Sequence, residues 1–123
     1  MIEYRKYITR QMLRDEPEKL FVFGDNMVHR GLGGQAKEMR GEPNAVGIPT
    51  KRFPSMTIGS FLRDSDWYEW KIEATPAIER LAGHVGTIVW PEDGIGTGLA
   101  QLEHNSPLIW SFIQRIRFNL ERR

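Results

Sequence analysis

The segment LFVFGDN, residues 20–26, decides the fold class. Residues 20–23 form a short run of aromatic and β-branched side chains, which is typical of a buried strand. The run stops at Gly24-Asp25-Asn26, which predicts a turn where the strand ends. Three glycines within residues 31–34 follow, and residues 35–40 are good helix formers. The first unit is therefore predicted to be a strand, a glycine-rich loop and a short helix.

Two further strands repeat this arrangement. Residues 45–48 (AVGI) are apolar and are followed by Pro49, which we expect to end the strand. Residues 87–90 (TIVW) predict a third confident strand, and they lead directly into a second glycine-rich loop, PEDGIGTG, at residues 91–98.

Helices are predicted between and after these strands. One is expected over residues 67–81, where Pro76 either kinks the helix or restarts it. Another opens at Ser106-Pro107, and its apolar residues recur at helical spacing. At the N-terminus, residues 2–8 allow an edge strand and residues 9–14 a helical turn. The alternation of strands and helices predicts an α/β fold with a largely parallel sheet.

Composition limits the classes of function. The 123 residues fit a single domain over residues 1–123. The net charge of +1 argues against a protein that coats a polyanion, but it allows a small anionic ligand. The chain has no cysteine, which excludes a disulfide partner, and the three histidines match no metal motif, so we expect neither a metal nor a cofactor. No apolar run is long enough for a membrane span and residues 1–11 lack the apolar core of a signal peptide, so we expect a cytoplasmic protein with no membrane partner.

Both glycine-rich loops follow predicted buried strands. In an open α/β sheet, ligands bind beyond the carboxyl ends of the strands. Glycines there let backbone amides approach an anion, and a following helix adds partial positive charge. Two such loops favour a ligand with more than one anionic group, such as a diphosphate. Neither loop is a P-loop and residues 94–98 lack the dinucleotide spacing, so the alternative that both are only tight turns stays open.

Three segments together resemble the macrodomain superfamily. Residues 24–36 look like its first ligand loop, and residues 48–52 (IPTKR) are similar to the strand end that carries the active lysine in its terminal ADP-ribose glycohydrolase branch. Residues 94–99 (GIGTGL) resemble the phosphate loop of that branch. The resemblance spans about residues 21–118. It implies a compact three-layer α/β/α fold with a mixed, largely parallel sheet, which binds ADP-ribose or a related NAD-derived nucleotide.

The resemblance also implies roles for individual residues. Asn26 would contact the distal ribose, the first loop would admit that ribose, and the second would wrap the diphosphate. Lys51 would attack the anomeric carbon, for which its amine must be neutral. The candidate catalytic residues are Lys51 and Asp25. The candidate ligand-binding residues are Gly24, Asn26, Arg30, Gly31, Gly33, Gly34, Gln35, Thr50, Gly94, Ile95, Gly96, Thr97, Gly98 and Leu99.

One departure from the branch leaves the activity open. Ala100 stands where that branch has its acid/base aspartate, and none of the possible substitutes, Glu103, Glu92, Asp93 and Asp25, is at the matching position. Three functions therefore remain: a glycohydrolase acting on an ADP-ribosyl linkage, a non-catalytic reader or sponge, and an accessory module that binds protein or nucleic acid. The expected partner is the nucleotide itself or an ADP-ribosylated macromolecule.

Overall fold

Four strands and five helices make up the protein, in a computed structural model that describes residues 1–123. The strands are β1 (Ile2–Arg5), β2 (Leu20–Asn26), β3 (Ala45–Lys51) and β4 (Ile88–Pro91). The helices are α1 (Arg10–Asp15), α2 (Ala36–Met39), α3 (Trp67–Gly83), α4 (Leu102–Asn105) and α5 (Pro107–Glu121). The predicted α/β fold class is confirmed. No helix combines the length and the hydropathy that a membrane crossing needs.

The sheet has the order β1-β4-β2-β3, and each neighbouring pair of strands is parallel. The expectation of a mixed sheet is therefore wrong, whereas the expectation of mainly parallel pairing is confirmed. The reason lies in the connections, because each strand is joined to the next by a segment that contains a helix. Such crossover connections return the chain to the same edge of the sheet.

Alternate side chains of β2 enter two separate cores, which makes the fold three-layered. Leu20 and Val22 belong to the larger core, which includes buried residues of α3, α4 and α5. Phe21 and Phe23 belong to the smaller one, with buried residues of α1 and α2. The period of two along a strand places these pairs on opposite faces of the sheet.

Several predicted boundaries differ from the structure. β2 continues through residues 24–26, so these residues extend the strand rather than form a turn. β3 continues past Pro49, which pairs with Asp25. β3 is an edge strand, and a proline without an N–H is tolerated on an edge. α3 is one continuous helix with Pro76 inside it, so the predicted restart does not occur.

Candidate ligand-binding cleft

A cleft of about 540 Å³ lies where β2, β3 and β4 end. Parallel strands bring their carboxyl ends to one edge, so the segments that follow them meet there. β2 and β4 pair only at Leu20–Ile88 and Phe21–Val89. Beyond these pairs the second glycine-rich loop takes the place next to β2. The structure therefore brings both loops to one cleft.

Every candidate residue from the sequence lines this cleft. They are Gly24, Asp25, Asn26, Arg30, Gly31, Gly33, Gly34, Gln35, Thr50, Lys51, Gly94, Ile95, Gly96, Thr97, Gly98 and Leu99. Their convergence does not by itself establish their roles, so the geometry of each group is considered next.

The second loop is held by close packing. A Cβ added to Gly24 would lie 3.2 Å from the Thr50 Oγ1 and 3.6 Å from the Gly96 nitrogen. Gly96 has a φ of +74°, and its added Cβ would lie 3.1 Å from Leu102. Such distances are shorter than ordinary van der Waals contact, so only glycine fits at Gly96 without displacing its neighbours. The Thr97 hydroxyl also donates to the Asp93 carbonyl at 2.9 Å, within the loop.

The first loop is held instead by a network around Asp25. The Asp25 carboxylate is buried and accepts from the Arg40 guanidinium at 2.5 Å and from the Asn26 amide at 2.8 Å. Arg40 also donates to the Gly31 carbonyl at 2.8 Å, so the same guanidinium joins the carboxylate to the loop. Gly47 makes room for the network, because a Cβ there would lie 2.8 Å from Asp25.

His29 extends this network to α3. Its two ring nitrogens lie 3.0 Å from the Asp25 carboxylate and 2.7 Å from that of Glu73. Burial lowers the pKa of His29, but hydrogen bonds to the two carboxylates and their negative charges raise it by more, so the net pKa is raised. His29 has a φ of 55°, a left-handed conformation that is uncommon for a residue other than glycine. The network therefore holds a strained residue at the start of the loop.

Asn26 ties the turn that follows β2. Its side-chain nitrogen donates to the Arg30 carbonyl at 2.6 Å, and its side-chain oxygen accepts from the Val28 amide at 3.1 Å. Both ends of the carboxamide thus have partners inside the protein. The expected contact with a distal ribose stays a prediction, and it would use the second N–H of the same nitrogen.

Backbone amides of both loops are left without acceptors. The N–H groups of residues 31–35 and 95–100 donate to no acceptor within the protein, and all of these residues line the cleft. The carbonyls of Gly33 and Gly96 are in contrast engaged, because they accept from Ala36 at 3.2 Å and from Leu102 at 2.9 Å. The loops therefore retain donors and use acceptors, which is the arrangement that binds an anion.

A helix dipole adds little to this arrangement. The helices that follow the two loops, α2 and α4, have four residues each. The expected partial charge builds up from aligned peptide units over a longer helix. The sequence-based expectation of a helix N-terminus at each loop is therefore corrected, and the amides themselves carry the positive potential.

Gly33 and Gly98 face open space. An added Cβ at either position would meet nothing within 4 Å, and neither has a positive φ. The local backbone does not require glycine there. A side chain at either position could occupy the cleft without straining the fold.

Lys51 lies in the cleft without a carboxylate partner. Its Nζ donates to the Ser55 carbonyl, and it lies 5.1 Å from the centre of the Phe61 ring. Burial lowers the pKa of Lys51, since no nearby negative charge offsets the loss of water. Arg52 does not contribute, because it points to Asp66 and Glu69, with which it forms ion pairs.

Acidic groups are scarce in the cleft. Asp25 is the one carboxylate among the lining residues, and it is already paired with Arg40. Ala100 lines the cleft, whereas Glu92 and Asp93 do not. Glu103 lies in a second, smaller groove that shares Gly96 and Thr97 with the cleft. No substitute for the missing aspartate is therefore free within the cleft.

Comparison with known proteins gives a family but no activity. Residues 3–116 match a family described as a family of unknown function (DUF7831). The chain belongs to the DUF7831 family. No curated protein and no solved structure matches it. The function of this DUF7831 protein must therefore be inferred from the cleft.

Sequence reasoning missed several residues that line the cleft of this DUF7831 protein. The most consequential is Arg40, whose guanidinium joins Asp25 to the first loop. The others lie on the rim or on the segment after β3: Leu32, Ala36, Pro54, Ser55, Met56 and Ala100. Leu32 and Met56 carried one available signal, because large apolar residues in a polar loop indicate a binding surface when they are exposed.

Proposed function

We propose that the cleft binds ADP-ribose or a related NAD-derived nucleotide, with the two glycine-rich loops holding its diphosphate. The observation that carries this proposal is the set of unpaired amides in residues 31–35 and 95–100, which line one cleft. Arg30 and Lys51 line the same cleft and form no ion pair, so they add positive charge that is available to an anion. The resemblance to macrodomains, which no comparison tests, agrees with this ligand.

The size and rim of the cleft support a ligand of this class. Its volume of about 540 Å³ lies within the ~300–1,000 Å³ that is usual for small-molecule sites. Leu32, Met56 and Leu99 are exposed at 64%, 52% and 72% and line the cleft. We propose that these apolar side chains contact the ring system, while the amides contact the phosphates. Because the ligand is an intracellular metabolite, the proposal also places the protein in the cytoplasm.

Substitution of the two open glycines tests this function. Gly33→Val and Gly98→Val place side chains in the cleft where the fold does not require glycine. In isothermal titration calorimetry we expect micromolar binding of ADP-ribose to the unsubstituted protein and at least about tenfold weaker binding to each variant. Gly59→Val is the matched control, since Gly59 also meets nothing within 4 Å and lies outside the cleft.

Two results would contradict the proposal. If ADP-ribose, ADP, AMP and NAD all fail to bind, the loops are turns and the alternative of an accessory module is favoured. If Gly59→Val weakens binding as much as the cleft variants, the effect is not local to the cleft. Melting temperatures of all three variants establish that each is folded.

Binding without turnover is the form of the proposal that the cleft favours. Ala100 offers no acid/base group, and Asp25 is engaged by Arg40 and His29. The partner would then be free ADP-ribose or an ADP-ribosylated macromolecule, read or sequestered without cleavage.

Hydrolysis of an ADP-ribosyl linkage is a second candidate because of Lys51. Its lowered pKa increases the fraction of neutral amine, which is the nucleophilic form. In this reaction Nζ would bond to the anomeric carbon as the bond to the leaving group breaks and the leaving group takes a proton. Water would then release the sugar and restore the amine. Asp25 is the one carboxylate of the cleft that could move a proton in these steps.

Lys51→Met separates the two candidates. With an ADP-ribosylated polypeptide as substrate, the hydrolytic candidate predicts turnover that is lost in the variant, while binding of ADP-ribose is kept. Full turnover in Lys51→Met would exclude the covalent role. Absence of turnover in the unsubstituted protein, with binding present, would leave the reader or sponge.

A further inference from the structure

Gln35 holds an unpaired acceptor in the wall of the cleft. It follows the first loop directly and lines the cleft. Its side-chain Oε1 is shielded from solvent and has no hydrogen-bond partner in the protein. Its backbone N–H is also among the unpaired amides of the first loop, whereas its backbone carbonyl accepts from Glu38 and Met39 at 3.1 Å each.

An unpaired buried oxygen of this kind destabilises the folded state. Removing it from water without a new donor forfeits a hydrogen bond, and native proteins retain few such groups. A methionine of similar length would fill the same space without the polar atom. Gln35 is therefore poorly explained by the stability of the fold, and a role towards a ligand explains it better.

We propose that Gln35 selects ligands that carry a sugar hydroxyl beyond the diphosphate, by accepting a hydrogen bond from that hydroxyl through Oε1. The inference rests on the proposed function and deepens it. A carbonyl oxygen needs a donor, and a phosphate oxygen has none at neutral pH, so Oε1 discriminates against a terminal phosphate at this position.

The position of Gln35 indicates which part of the ligand it meets. The free amides of Gly33 and Gly34 precede it, and these bind the anionic part of the ligand. A group next to that anion lies within reach of the carboxamide once the terminal torsions of the side chain turn Oε1 into the cleft. These torsions are soft, so the turn requires no movement of the backbone. The ligand that fits is a nucleoside diphosphate with a further sugar attached.

Affinities for ADP-ribose and ADP test this inference, because the two ligands differ by the attached sugar. In the Gln35→Met variant we expect ADP-ribose to bind about tenfold more weakly and ADP to bind within about twofold of the unsubstituted protein. Without ligand, the variant should melt at the same or a higher temperature. The Gln35→Glu variant keeps an acceptor, so it should retain the preference for ADP-ribose over ADP although its charge weakens both.

The control is Gln11→Met, since Gln11 is exposed on α1 and hydrogen-bonds only to Asp15. It should leave both affinities unchanged. If Gln35→Met weakens both ligands equally, or neither, the role of Gln35 as a selector is wrong while the proposed function stands. If the unsubstituted protein binds neither ligand, the proposed function and the selection by Gln35 are both wrong.

Discussion

The two glycine-rich loops line the same cleft, but different forces hold them. Residues 31–34 are fixed by charged and polar side chains, with Asp25 and Arg40 at the centre. Residues 94–98 are fixed by close contacts around Gly24 and Gly96.

This difference predicts how each loop responds to change. Packing contacts are short-ranged and do not titrate, so the second loop should be insensitive to pH and intolerant of added atoms. Ion pairs depend on protonation and salt, so the first loop should be adjustable. A ligand held by both loops would then meet one rigid wall and one that responds to conditions.

The largest effect is expected where a side chain is added to the second loop. Gly96→Ala combines a φ of +74° with a Cβ placed 3.1 Å from Leu102 and 3.2 Å from Thr50. Strain at a positive φ and overpacking each cost of the order of 1–3 kcal/mol, so we expect the free energy of unfolding to fall by about 3 kcal/mol. Urea denaturation measures this change.

Gly98→Ala is the control for that substitution. Gly98 lies in the same loop, but its added Cβ meets nothing within 4 Å and its φ is not positive. We expect its free energy of unfolding to change by no more than about 0.5 kcal/mol. Equal losses in the two variants would show that close contact does not hold this loop.

A smaller effect is expected when the network of the first loop is broken. Arg40→Met leaves the buried Asp25 carboxylate without its guanidinium partner, which should lower the free energy of unfolding by about 2 kcal/mol. The Asp25→Asn substitution removes the charge itself, so the double variant should lose less than the sum of the single losses. A double-mutant cycle by urea denaturation measures this coupling, and additive losses would contradict it.

The pH dependence of stability should separate the two loops further. The pKa of His29 is raised in the folded protein, so the folded state binds the proton more tightly than the unfolded state. The stabilisation is then fully present below the unfolded pKa of about 6.5 and is lost as pH rises through the higher folded pKa. Because His29 is half exposed, we expect a loss under about 1 kcal/mol.

Unfolding measured at about pH 5.5 and about pH 8.5 tests this expectation. His29→Gln should remove the difference that this residue contributes, whereas His104→Gln, outside the network, should leave it in place. An unchanged pH dependence in His29→Gln would show that the imidazole does not couple the loop to Glu73.

Much of the cleft could be predicted from the sequence because its residues follow strands directly. The two glycine-rich loops, the strand before each and the position of Lys51 are local patterns, and parallel strands bring their ends together. The network could not be predicted, because Arg40 and Glu73 are two charges among many and meet Asp25 and His29 only in the folded chain. Pro49 was misjudged for a similar reason, since the sequence does not reveal that β3 lies at the edge of the sheet.

The smallest effect is expected at Lys51, which lies between the loops and supports neither. Its Nζ contacts the Ser55 carbonyl and the Phe61 ring, and it has no ion-pair partner. Lys51→Met removes a partly desolvated charge and keeps most of the aliphatic stem, so the two losses nearly cancel. We expect the free energy of unfolding to change by less than about 0.5 kcal/mol in urea. A loss as large as that of Arg40→Met would mean that Lys51 is part of the scaffold, and it would then be a poor candidate for chemistry that needs the amine free to reach a ligand.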